Sequence, residues 1–142
     1  MAINDRPANL TPGIAWALLS PIGRISRQAY WHGVFLVWVV SLIPLHMWWK
    51  TLDPSLPLSE LSPSDFAGSN PLFRPLFFAL TWIVLALVIK RCQDIGVTGF
   101  VALLVLIPGV DFIAVIVLGF IRSAPGPNRY GPAPDSYYRR NV

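Results

Sequence analysis

Few side chains in this sequence of 142 residues are suited to chemistry, and most of them gather in one stretch. From Ile89 to Phe100 the chain reads IKRCQDIGVTGF, which puts Lys90, Arg91, Cys92 and Asp94 within five positions. A carboxylate beside two cations can pair with either of them, or the cations can grip an acidic group from outside. A thiol next to cations is the setting in which cysteine becomes reactive, but no histidine stands near Cys92 in sequence, so it reads as a spectator. The second candidate is Asp111, an acid inside an apolar stretch, where proton or ion passage is the first thought. Its plainer reading is a turn residue or a cap on the helix that follows, because one acid with no ionisable neighbour makes a poor relay. His32 and His46, fourteen residues apart, would stand about 21 Å apart on a helix and cannot share a metal. Neither a Ser/His/Asp set, a P-loop nor an HExxH motif is present, and a single cysteine excludes an internal disulfide or a multi-cysteine metal cage. No enzyme activity, cofactor or metal is expected.

The elements that must carry these residues are written in the composition. The chain is 54% hydrophobic and 13% charged, with six tryptophans and eight phenylalanines. An ordinary soluble domain has about 25% charged residues, so lipid is the expected solvent and the aromatic rings are expected at its boundaries. A net charge of +4 raises nucleic acid as a partner, but no dense basic stripe interleaves with aromatics, and none is expected. Residues 1–10 are polar, and LTPGIAWALLSPIG lacks both a basic lead and a small-x-small site, so no cleavable signal is read. Thr11 and Pro12 look like an N-cap and first helical position. Ile14 to Leu19 is too short to cross a bilayer, so residues 1–22 are expected to hold a short interfacial helix.

About 20 apolar residues cross a bilayer core of about 30 Å. The predicted fold is therefore an all-α integral membrane protein with two firm spans and a third, broken one. YWHGVFLVWVVSLIPLHMWW (30–49) is uncharged, with Ser26 as its N-cap. PLFFALTWIVLALVI (75–89) is shorter, with Arg74 and Lys90 able to snorkel. FVALLVLIPGVDFIAVIVLGFI (100–121) contains Pro108, Gly109 and Asp111 at its middle, three unfavourable features for a straight helix. These spans form one polytopic domain over residues 23–135, followed by a tail at 136–142.

Charge sorts the loops. Arg6, Arg24 and Arg27 precede the first span, Lys90 and Arg91 follow the second, and Arg122, Arg129, Arg139 and Arg140 follow the third. The 50–74 connector is Pro/Ser-rich, carrying Asp53, Glu60 and Asp65 between its terminal cations. Since Lys and Arg favour the cytoplasmic side, three full crossings would export a four-arginine tail. A third segment that re-enters, as two half-helices packed against protein, keeps the tail inside with the N-terminus. A kinked full span remains the alternative. Lys90 and Arg91 then mark the cytoplasmic end of the second helix, and Gly96 and Gly99 allow a tight turn.

GRISRQAYW (23–31), KRCQDIGVTGFVALLVLIPG (90–109) and PGPNRYGPAPD (125–135) together resemble a bacterial inner-membrane family, domain of unknown function 805, which includes the YhaH-like proteins. Gly23, Arg24, Arg27, Tyr30 and Trp31 match its opening motif; Lys90, Arg91 and Asp94 its connector; Pro108 its apolar segment; and Asn128 to Pro134 its close. Gln93 stands where the family usually has histidine, Cys92 where it has leucine, and Thr98-Gly99-Phe100 where it has Ser-Gly-Trp. The resemblance implies an architecture and an inner-membrane location, and no particular activity.

With the tail inside, Arg24, Arg27, Lys90, Arg91 and Arg129 crowd one membrane surface, with Asp94, Asn128 and Tyr130 among them. Such a basic face would grip anionic lipid headgroups, at about 1 kcal/mol per cation, or an acidic segment of a membrane partner or second copy. The plainer reading makes the arginines topology signals and has Asp94 tie the connector to Arg24 or Arg129. A tail so dense in Gly and Pro is expected to form a fixed turn. The expected function is that of an accessory or scaffold protein. The rival is a transporter or channel component built on the broken segment and Asp111, and an enzyme acting on lipid headgroups stands third.

Overall fold

The computed structural model describes residues 7–139. Arg6, Arg140 and the C-terminal Val142 lie outside the described residues. The order is β1 (Ala8–Asn9), α1 (Ile14–Leu19), α2 (Arg27–Trp49), a 3-10 turn (Leu58–Glu60), α3 (Pro63–Ser69), α4 (Phe73–Asp94), a 3-10 helix (Gly99–Leu106), α5 (Val110–Phe120) and β2 (Tyr137–Tyr138). The chain is mostly helical, and α2 and α4 are each long and apolar enough to cross a bilayer.

Ser26 does cap the first long helix, its hydroxyl accepting from the Ala29 N–H at 3.2 Å. That cap starts α2 at Arg27, three residues before the uncharged run. On α2, Gly33 faces α4 so closely that a Cβ there would stand 2.8 Å from Leu87 Cδ1, and the two helices pack through Val34, Leu87 and Val88.

α4 outruns its expected bounds of 75–89 at both ends. Lys90 to Asp94 is not a connector but the last turn and more of the helix, because these polar side chains find partners in protein and need no water. The helix stops in a Schellman motif: Val97 N–H donates to Cys92 O at 2.8 Å and Gly96 N–H to Gln93 O at 3.2 Å, with Gly96 at φ +84°.

The third apolar segment breaks where its sequence suggested, at Pro108-Gly109, with Gly109 at φ +85°. Its first half is a 3-10 helix instead of the expected α half-helix. Pro108 has no N–H to donate to the Leu104 carbonyl, as an α-helix would require. Ile107 N–H takes that carbonyl instead at 3.2 Å. Eight 3-10 residues and the eleven α-helical residues of α5 each rise about 16 Å. Gly99 lies against Ile89 and Gln93 of α4, and the Leu118 and Ile121 carbonyls accept from Arg91. Both ends of the segment therefore sit at the C-terminal end of α4. At its turned end Phe112 stacks on Trp38 at 5.9 Å, partway along α2.

Four short elements escaped sequence reading, the 3-10 turn Leu58–Glu60 among them. α3, inside the acidic connector, is started by a capping box between Ser62 and Asp65. β1 and β2 form a two-residue antiparallel pair, Ala8 opposite Tyr138 and Asn9 opposite Tyr137, so the structure is not purely helical. A side-chain turn follows β1, Thr11 N–H donating to Asn9 Oδ1 at 3.0 Å, and the N-cap of α1 is Gly13, not the expected Thr11. α1 then lies along α4, with Trp82 Nε1 donating to Leu19 O at 3.0 Å.

Candidate functional site: a buried charged joint

The start of α2, the end of α4, the end of α5 and the tail meet at one place. The loop before α2 delivers Arg24, since Gly23 at φ +106° takes a turn that a side chain would disfavour and passes within contact of Ser136 and Tyr137. Arg24 N–H then pairs with Ser136 O at 2.8 Å. α4 delivers Arg91 and Asp94, three residues apart on one helical face.

Asp94 sits between the two guanidinium groups. Its Oδ1 accepts from Arg24 Nε at 3.0 Å and its Oδ2 from Arg91 Nη1 at 2.5 Å. All three side chains are fully buried. The remaining N–H groups point at backbone carbonyls. Arg24 donates to Gly126 O at 2.6 Å, Ala124 O at 2.8 Å and Gly131 O at 3.3 Å. Arg91 donates to Leu118 O at 3.0 Å, Ile25 O at 3.2 Å and Ile121 O, and to the Ser123 hydroxyl at 3.3 Å. Two arginines thus gather carbonyls from four parts of the chain around one carboxylate, using the fork of donors that lysine lacks.

Lys90 is buried apart from this cluster. Its ammonium donates to Trp16 O at 2.8 Å and to Ala17 O, and it lies 4.4 Å from the centre of a Trp16 ring. It therefore closes the end of α1, where the last carbonyls run short of helix N–H donors, sharing Trp16 O with the Ser20 N–H at 3.2 Å. Asn128 is half-buried: its amide donates to Gln93 O at 2.9 Å and its oxygen accepts from Tyr130 N–H at 2.9 Å, which fixes the tail turn. Arg27 and Arg129 are exposed, Arg129 lying 4.7 Å over the half-buried Tyr130 ring. Asp111 is not part of the joint. It lies at the start of α5, the far end of that helix, and accepts from the Gly109 N–H at 2.9 Å.

The expected basic face is thereby corrected. Arg24, Lys90 and Arg91 cannot present charge outward, because each is fully buried and directed at internal acceptors. Burying a charge is tolerable only with a partner and hydrogen bonds, and the chain supplies both. The anticipated tie between Asp94 and Arg24 is present, with Arg91 as its second partner in place of Arg129. Sequence reading missed Asp135, whose carboxylate accepts the Ser26 N–H at 2.8 Å, and Gln93, which accepts the Gly23 N–H at 3.1 Å. Both lie inside the quoted motifs, but nothing in their spacing announces a partner about 70 or 109 positions away.

Chemically, the joint can hold segments together, but it has little left to bind with. Pairs of this kind add little net stability, and their established use is to select one arrangement over others. Here four chain segments together supply the acceptors of both guanidiniums. The motifs that converge on the joint are those that raised the family resemblance. No curated protein and no solved structure matches the chain. A family model described as protein of unknown function (DUF805) matches residues 18–132, from the end of α1 through the tail turn, and the chain belongs to that family.

Proposed function

We propose that this is a small polytopic protein of the bacterial inner membrane, a non-catalytic accessory or scaffold whose joint end faces the cytoplasm. The observation that carries the reading is the return of residues 99–121 to the end of α4 from which they depart. Each half, about 16 Å long, reaches about half the depth of a bilayer core of about 30 Å. The segment then re-enters, and α2 and α4 are the two spans. Large side chains on their outer surfaces support this: Phe35, Leu42, Phe77 and Phe78 are exposed, the last at 71%. Water would penalise such surface at about 25 cal/mol per Å².

The orientation rests on the charges that stay outside. Arg27, Arg122, Arg129 and Arg139 are exposed at the joint end, against Lys50 and Arg74 at the other, where the connector between them carries Asp53, Glu60 and Asp65. By the preference of cations for the cytoplasm, both termini belong there. The face offered to lipid or to a membrane partner is this narrower set of arginines. Asp111, engaged with the Gly109 N–H, serves the turn and carries no ion.

A reporter active only in the cytoplasm, fused after Val142, is expected to be active. A periplasmic signal would overturn the topology. For the role, the full chain in liposomes is expected to pass no ions, and ion flux abolished by Asp111→Asn would replace the scaffold with a transporter.

A further inference from the structure

Between α4 and the 3-10 helix runs an open groove of about 400 Å³. Its chemistry changes along its length. One wall is the α4 stripe Leu85, Ile89 and Gln93, set four residues apart and so on one face. The other is the 3-10 helix, where Phe100 and Leu103 are exposed at 80% and 53%. At the apolar end lie Leu85 and Leu103. At the joint end lie Gln93, Thr98 and Tyr130.

The polar end offers donors and no acid. Gln93 uses its oxygen to accept from Gly23, while its Nε2 stands 3.5 Å from where a Gly99 Cβ would lie, on the groove side. Thr98 accepts the Phe100 N–H, leaving its own proton to give. Tyr130 adds a phenol, and the exposed Arg129 guanidinium lies over its ring. The nearby Asp94 carboxylate is closed off between two arginines, so it does not offset that charge. From Leu85 to Gln93 the stripe is about 12 Å long, running from the apolar depth of α4 to the level of the exposed arginines.

We infer that this groove binds an anionic bilayer phospholipid, with one acyl chain along Leu85, Ile89 and Leu103 and the headgroup phosphate at Gln93, Thr98, Tyr130 and Arg129. The assignment rests on the proposed topology, which sets the polar end at headgroup level. Charge complementarity selects the occupant. A helix from a second copy would leave the donors facing apolar side chains, and in a zwitterionic lipid the ammonium beside the phosphate would offset the gain from Arg129.

The test is photo-crosslinking on the full chain in vesicles of phosphatidylcholine doped with phosphatidylglycerol carrying a diazirine in its acyl chain. Adducts are expected to map to residues 85–103, and unlabelled phosphatidylglycerol to compete about fivefold better than phosphatidylcholine, the effect of one surface cation. Arg129→Gln should bring the two competitors level, and Leu103→Trp should remove the adduct by filling the apolar end. Neither residue belongs to the joint, and an unchanged melting temperature checks that both variants fold. Adducts spread evenly over α2 and α4 and indifferent to Leu103→Trp would overturn the inference. Chain-to-chain products through this groove would do so too, by making the occupant a second copy. A chain that inserts yet shows either pattern overturns only the groove. A chain that never enters the vesicles overturns the topology along with it.

Discussion

Where α2 begins and α4 ends, three buried charged side chains and a ring of carbonyls hold the chain. Where α2 ends and α4 begins, Trp48, Phe66 and Phe73 meet with ring centres 5.4 and 5.1 Å apart. The joint is built from directional bonds, and each guanidinium needs its acceptors in set places. The aromatic end is built from contacts that a neighbouring ring or aliphatic chain can replace. A failure at the joint strands a charge in an apolar setting, whereas a failure at the aromatic end loosens α3 and exposes a ring.

The sharpest way to break this contrast is Asp94→Ala, which leaves two buried guanidiniums without their carboxylate. It is expected to cost about 3–5 kcal/mol, read as a large drop in melting temperature in detergent. A loss no greater than that of Phe66→Ala would erase the difference between the ends. A cycle combining Arg24→Gln with Asp94→Asn sharpens it, since residues in direct contact should show about 0.5–3 kcal/mol of coupling. Gly119→Ala comes next. Its Cβ would fall 2.4 Å from Trp31 Cζ2, where α5 presses on α2 beside the joint. Overpacking of this kind costs about 1–3 kcal/mol, and the same melting measurement should find it.

At the aromatic end Phe66→Ala should cost less, about 1 kcal/mol for the lost ring contacts. Its readout is earlier proteolysis in the 50–72 connector, with the joint intact. The smallest effect is expected from Ser62→Ala, which removes the capping box of α3 at about 0.5–1 kcal/mol. Hydrogen exchange should quicken in α3 alone. Faster exchange spreading to Arg91 or Asp94 would show that the two ends are not independent.

Much of this architecture is legible from the chain. Apolar run length marks α2 and α4 because a helix must bury or face apolar surroundings along its whole length. Ser26 marks a cap because its hydroxyl reaches its own helix, three residues on. Pro108 and Gly109 mark a break because their limits are those of their own backbone. What stayed hidden depends on distant partners. Lys90 to Asp94 reads as a polar connector until Arg24 and the carbonyls near Ile121 arrive to make it helix. The two-residue β pair carries no local signal, and α3 is short enough to be lost in a Pro/Ser-rich stretch.

The sequence by itself determined where the long apolar elements lie and where the third one breaks, since propensity, capping and hydropathy act over a few neighbouring positions. Only the tertiary structure decided that Arg24, Lys90 and Arg91 turn inward. A cation's direction depends on whether acceptors from elsewhere in the chain can replace its water, and in this fold Asp94, the α5 and tail carbonyls, and the end of α1 do so.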